Sequence, residues 1–143
     1  MKKINIALLS LLVVFVLASC SKEKRIEKSL YKKGGEWSVS SYKQESYTNG
    51  SLDYSDTYAN AGTMDFSKSG TLVWTFTLDG YTDVYGGSWS NTEDKLTIII
   101  DGEGIVFDIK ERSRKSMMLE NVQTDNYNGI SNQYKLTLEI EKK

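Results

Sequence analysis

The 143-residue chain has no histidine, no proline and a single cysteine, Cys20. Without histidine there can be no Ser–His–Asp or Cys–His site, and the usual zinc ligand sets cannot be assembled. A lone cysteine forbids an internal disulfide, so the core must hold by packing alone. The lack of proline leaves every candidate strand free to sit inside a sheet, where proline would delete a ladder hydrogen bond. No glycine-rich phosphate loop follows a strand and opens a helix. Carboxylates are plentiful, at 19 Asp and Glu, and glycoside hydrolysis needs only two at a set separation, but nothing singles out a pair. Catalysis is not expected, nor is a cofactor. Asp53, Ser55 and Asp56, like Asp79 and Asp83, match no full calcium loop, and turn aspartates commonly cap backbone amides, so no metal is expected.

Long apolar runs are also scarce; the one present lies at the start. Lys2 and Lys3 precede a stretch from Ile4 to Ala18 broken only by Asn5 and Ser10. It is shorter than the roughly 20 residues a spanning helix needs. A basic start, a short apolar stretch and small residues before a junction are the pattern of a secretory signal. Leu17-Ala18-Ser19-Cys20 resembles the lipobox of bacterial lipoproteins. That resemblance implies a diacylglyceryl group on Cys20, removal of residues 1–19 and a membrane as the first partner. Two or more acyl chains hold a protein stably, at about 0.8 kcal/mol per buried methylene. Ser21, rather than aspartate, follows the cysteine, which by the same resemblance implies the outer membrane of a bacterial envelope, periplasmic or surface face left open.

Residues 22–33, "KEKRIEKSLYKK", carry a net charge of +4, whereas residues 34–143 carry −7. A basic strip beside a lipid anchor favours anionic headgroups within a Debye length. The acidic remainder argues against nucleic acid as a partner. Ile26 and Leu30, four apart, would share one face of a short helix that Gly34-Gly35 ends. The chain thus divides into a leader at 1–19, a lipidated basic tether with a short helix at 20–35, and a β domain at 36–143.

From Glu36 the period becomes two. Leu72, Trp74, Phe76 and Leu78 alternate with threonines and a valine, Ile105, Phe107 and Ile109 with Val106, Asp108 and Lys110, and Tyr134, Leu136, Leu138 and Ile140 with Lys135, Thr137 and Glu139. Such alternation marks strands with one buried face. Asn49-Gly50, Ser69-Gly70, Asp79-Gly80, Gly86-Gly87, Asp101-Gly102 and Asn128-Gly129 are turn dipeptides. Strands are predicted near 36–47, 62–67, 71–78, 81–90, 95–101, 104–112, 115–121 and 133–141, with long connections at 49–61 and 122–132. The fold expected is all-β: an eight-stranded antiparallel up-and-down barrel, whose closure removes exposed edges, with a two-sheet sandwich as the rival. Inward positions are expected at Trp37, Val39, Met64, Phe66, Leu72, Trp74, Phe76, Trp89, Leu96, Ile98, Ile100, Ile105, Phe107, Ile109, Met118, Leu136 and Leu138.

Gly35-Glu36-Trp37 resembles the G-x-W motif that opens lipocalins. Residues 31–143 look like the lipocalin-like domain of small bacterial envelope lipoproteins, with Phe66, Gly70-Thr71 and Gly87-Ser88-Trp89 as the further pieces. Lipocalins proper place an arginine near the barrel's end over the opening tryptophan, and here only Lys135 and the terminal lysines are available. The resemblance implies a barrel that holds a small apolar or amphipathic ligand, with Trp74, Phe76 and Trp89 as the expected lining. The alternative is a solid barrel that contacts another envelope protein or a glycan through its loops. Tyr47, Tyr54 and Tyr58, at and within the 49–61 connection, are the candidate contacts, tyrosine being enriched in binding surfaces.

Overall fold

The computed structural model describes residues 21–143; the leader and Cys20 lie outside the described residues. The first element is helix α1 (Lys22–Tyr31), whose N-cap Ser21 accepts a hydrogen bond from the Lys24 amide at 3.4 Å. Ile26 and Leu30 are fully buried, so the helix closes one end of the domain, here called the floor. Burying each such side chain contributes about 1.5–3 kcal/mol. A short 3₁₀ turn then leads to Gly35, at φ 74°. A methyl group there would meet the Phe66 carbonyl oxygen at 2.0 Å, so only glycine lets the chain pass this close into the barrel. Among the described residues no helix is long and apolar enough to cross a membrane.

Nine strands follow: β1 (Glu36–Thr48), β2 (Ser51–Ala59), β3 (Gly62–Phe66), β4 (Thr71–Leu78), β5 (Tyr81–Asn91), β6 (Lys95–Ile100), β7 (Glu103–Arg112), β8 (Ser116–Tyr127) and β9 (Ile130–Lys142). β2 and β3 are one interrupted strand. Both run antiparallel to β1, and between them the amides of Asn60 and Ala61 donate to the Ser40 and Val39 carbonyls at 3.0 and 2.8 Å. Counted so, eight strands pair in sequence order, and the β1–β9 ladder, from Trp37↔Lys142 to Thr48↔Asn132, closes an antiparallel barrel.

Gly86-Gly87 is no turn but lies within β5, where a methyl group at Gly87 would meet the Ile99 carbonyl oxygen at 2.2 Å, and two predicted loops are instead hairpin arms. The 49–61 connection contains β2, and 122–132 holds the end of β8 and the start of β9. The four turns at the end opposite the helix, the rim, are Asn49-Gly50, Asp79-Gly80, Asp101-Gly102 and Asn128-Gly129, each with both residues at positive φ. That is the type I′ geometry whose twist matches paired strands. The floor turns are built differently, on hydroxyls: Ser67, Thr92 and Ser113 accept from backbone amides of the residues just after them.

The core lies in the lower barrel, where Trp37, Phe66, Phe107, Met64, Leu96, Ile98, Leu119, Leu138 and Ile140 are buried. Most predicted inward positions are there. Met118 is not among them; Met117 is buried in its place. The opening tryptophan is tied on both sides. Its indole N–H donates to the Leu30 carbonyl at the end of α1 at 2.9 Å, and the Lys142 ammonium lies 5.0 Å from its ring centroid. Lys142 thus stands where the resemblance calls for an arginine, and it also donates to the Ser29 carbonyl at 2.5 Å.

Candidate functional site

Ladders that are complete at the floor stop short of the rim. β4 pairs with β3 but not with β2, β5 loses β6 above Gly87, and β7 loses β8 above Asp108. The upper molecule therefore parts into two pieces: a four-stranded wing in the order β2-β1-β9-β8, and a facing sheet in the order β4-β5-β6-β7, in which β6 stays paired with β5 to its end at Ile100 and the β4–β5 hairpin reaches beyond it. The wing is zipped to its tip, where the Asn49 amide donates to the Ser131 carbonyl at 2.8 Å and the Ser131 amide to Asn49 Oδ1 at 2.9 Å.

Between these pieces lies a cavity of about 500 Å³. Its walls are Trp74, Phe76 and Tyr85 from β4–β5, Ile100 and Ile105 from β6–β7, and Tyr42 and Leu136 from the wing, with Asp101 and Glu103 at its edge. The volume falls within the roughly 300–1,000 Å³ typical of small-molecule sites. Phe76 meets Tyr42 edge-on at 4.8 Å and Trp74 at 5.8 Å, and Tyr58 continues the aromatic row 6.2 Å beyond Tyr42. The indole Nε1 of Trp74 is buried with no hydrogen-bond partner among the described residues. A buried donor left without an acceptor carries a desolvation cost of about 1–3 kcal/mol, a cost that a ligand oxygen would relieve. Burial pushes the Tyr42 hydroxyl pKa up, a shift eased by its bond from Gln44 at 2.5 Å, so Tyr42 presents a neutral phenol.

The cavity is adjoined on the wing by a smaller depression of about 400 Å³, with Leu136 shared between the two. Register shows how that face is composed. Tyr54, Ser46, Tyr134 and Gln123 form one row, Asp56, Gln44, Leu136 and Asn121 the next, and Tyr58, Tyr42, Leu138 and Leu119 the row nearest the core. Polarity thus rises row by row toward the tip. Tyr58 and Tyr54 both donate to Asp56 Oδ2, at 2.8 and 3.1 Å. These bonds, with one from the Thr57 amide, hold the Asp56 carboxyl below the usual range and push the Tyr58 hydroxyl up.

Of the residues singled out from sequence, Trp74 and Phe76 stand together in the cavity. Trp89 does not; it lies at the floor, edge-on to Phe66 at 5.5 Å, with its N–H donating to the Ser67 carbonyl. Tyr54 and Tyr58 share the inner wing face, on a strand and not on a loop. Tyr47 points to the opposite face, where it donates to Glu45 at 3.1 Å. Cys20 lies outside the described residues. Alternation alone did not reveal Tyr42, because a bulge at Ser40 shifts β1 by one residue. Tyr85 has only Val84 and two glycines beside it, too little to set a phase, whereas Tyr134 continues the alternation of Leu136 and Leu138 and was legible as part of that face. Among the described residues no three His, Cys, Asp or Glu side chains gather as metal ligands.

No protein-family model and no curated protein matches the chain. Solved structures do. A lipocalin-like protein from Bacteroides uniformis superposes with a TM-score of 0.50 at 16% identity, over 80% of this chain and 99% of that one. The barrel is lipocalin-like. An uncharacterized protein from Bacteroides eggerthii (TM-score 0.41, 16% identity, 70% of this chain and 95% of that one) also matches. So does a polyisoprenoid-binding domain from Saccharophagus degradans, implicated in plant cell wall breakdown (TM-score 0.40, 9% identity, 75% and 98%). At such identities the lipocalin-like likeness speaks for the fold alone.

Proposed function

We propose that this chain is a lipid-anchored protein of the bacterial envelope, outer-membrane attached through Cys20, whose lipocalin-like barrel carries one small amphipathic ligand without transforming it. The leader and the lipobox-like Leu17–Cys20 support the address. The observation that carries the binding role is the rim cavity, walled mainly by aromatic and aliphatic side chains and adjoined by a polar, tyrosine- and amide-rich wing face. Such a shape suits a guest with an apolar body of drug-like size and an uncharged, hydroxyl- or amide-bearing part. The carboxylates of Asp101 and Glu103, with no basic residue on the cavity wall, disfavour an anionic head. The unmatched Trp74 N–H calls for an acceptor oxygen near the apolar end.

Native mass spectrometry of the purified protein is expected to retain a co-purified small molecule. The neutral dye Nile red should bind with a blue-shifted, brightened emission, and Ile105→Trp, which fills the cavity, should abolish that signal with the far-UV circular dichroism unchanged. Bare mass and no dye uptake by the wild type would refute the reading. A second role at the same end, contact with an envelope protein or glycan, draws support from exposed side chains along the rim, Tyr81 at 80%, Tyr127 at 68% and Leu52 at 55% exposure. Tyr81→Ser with Tyr127→Ser would impair that contact and leave dye uptake intact.

A further inference from the structure

The floor collects charge of one sign. Arg25, Lys28, Lys32 and Lys33 lie along one flank of α1 and its 3₁₀ turn, Arg112, Arg114 and Lys115 at the β7–β8 turn, and Lys142 and Lys143 at the chain end. Together with Ser29 and Ser113 they line a basin of about 930 Å³ that no carboxylate lines. Nine of the sixteen basic residues that follow the leader meet here, although residues 34–143 are acidic in sum. The helix presents this flank because Ile26 and Leu30 fix its opposite side in the core. The Lys142 amide donates to the Lys115 carbonyl at 2.7 Å, which holds the chain end against the turn.

We propose that this floor is a docking site for the phosphate-bearing headgroups of an anionic phospholipid surface. Three observations select that partner. The basin is broad, so a single small anion would reach only a few of its cations, whereas a headgroup layer engages them together. Arginine's planar fork suits phosphate oxygens, and two of the three basic residues at the β7–β8 turn are arginines. Ser21, the first described residue, lies at this end and is next in sequence to Cys20, so the docking rests on the anchor proposed above and adds a surface to it. Like charges also crowd here, with Lys143 paired to Glu36. Burial, then Lys33 and Lys32, push the Lys142 pKa down, and an external anion would relieve that crowding.

The test compares the full chain with its Arg112→Glu/Arg114→Glu/Lys115→Glu variant on vesicles of phosphatidylcholine alone and of phosphatidylcholine mixed with phosphatidylglycerol. These three side chains are exposed, so the fold should survive, as circular dichroism would verify. Lys28→Glu/Lys32→Glu provides an independent variant. The wild type should bind the anionic vesicles in excess over the neutral ones, with the excess falling as salt is raised. Each variant should lose that excess by about tenfold or more, in line with the per-residue worth of basic side chains near such surfaces. Equal binding by wild type and variants would overturn the proposal. So would thermal stabilisation of the wild type by inorganic phosphate that the variants lose while vesicle binding stays unchanged, because that would make the floor a soluble-anion site.

Discussion

Gly62 and Gly129 both hold positive φ, 115° and 78°, yet they test different physics. A methyl group at Gly62 would meet the Thr75 carbonyl oxygen at 1.9 Å, where the interrupted strand bends past β4, whereas nothing lies within 4 Å of Gly129. Gly129→Ala should therefore cost only the backbone term, about 1–2 kcal/mol. Gly62→Ala adds a steric clash with backbone and should cost about 3 kcal/mol or more. Urea denaturation of the two variants checks the ordering, and equal losses would mean that the bend relaxes freely. At this scale the sequence was partly legible. Gly35-x-Trp37 announced the start of the barrel, and the terminal lysines were in view as cations for the place over the tryptophan, but which of Lys135, Lys142 and Lys143 fills it, Lys142, is set by the β1–β9 register. The Met117-Met118-Leu119 run carries no phase of its own; the pairing of Leu119 with Leu138 sets it.

Elements were legible wherever one face was aliphatic. β4, β6, β7 and the lower part of β9 alternate plainly, and the Ile26/Leu30 spacing marked α1. The hairpin arms escaped because their inner face is built of Tyr, Gln, Asn and Asp, so the contrast between faces vanishes while the strand persists. α1 is an anchor for the floor, and Leu30→Ala should destabilise by about 2–5 kcal/mol as a buried large-to-small change, read as a lower urea midpoint. On the outer wall, Lys43, Glu45, Lys135, Glu120, Lys110, Asp108 and Lys95 form a chain of ion pairs across β1, β9, β8, β7 and β6. Glu120 stands at its middle, 2.7 Å from Lys135 and 3.1 Å from Lys110, and the Lys135 bond foremost holds its pKa below the ordinary carboxylate value. A depressed folded-state pKa gives stability above the unfolded value that is lost as pH falls through the folded one. Glu120→Gln should thus lower Tm by about a few degrees at pH 7, with the gap to wild type closing as pH falls through the lowered folded-state pKa. A gap that persists in strong acid would assign the effect to packing.

The whole molecule is polar end to end, with a basic floor beside the helix and an aromatic cavity edged by carboxylates at the rim. Net charge by segment could not foretell this, because the floor draws on three stretches far apart in sequence that only barrel closure brings together. The cavity was half legible. Trp74 and Phe76 belonged to an obvious strand, but the parting of the upper ladders that makes room beside them is a matter of unequal strand lengths, which alternation does not report. Those same rim connections carry a kinetic consequence. Each is two residues long and held in one mirror-image turn, so no flap of spare chain exists among the described residues to fold over a guest. Residence time would then follow from shape match and the lone indole donor, without a gating step. Exchange should be quick and single-exponential in stopped-flow, in the manner of a cup more than of a clasp.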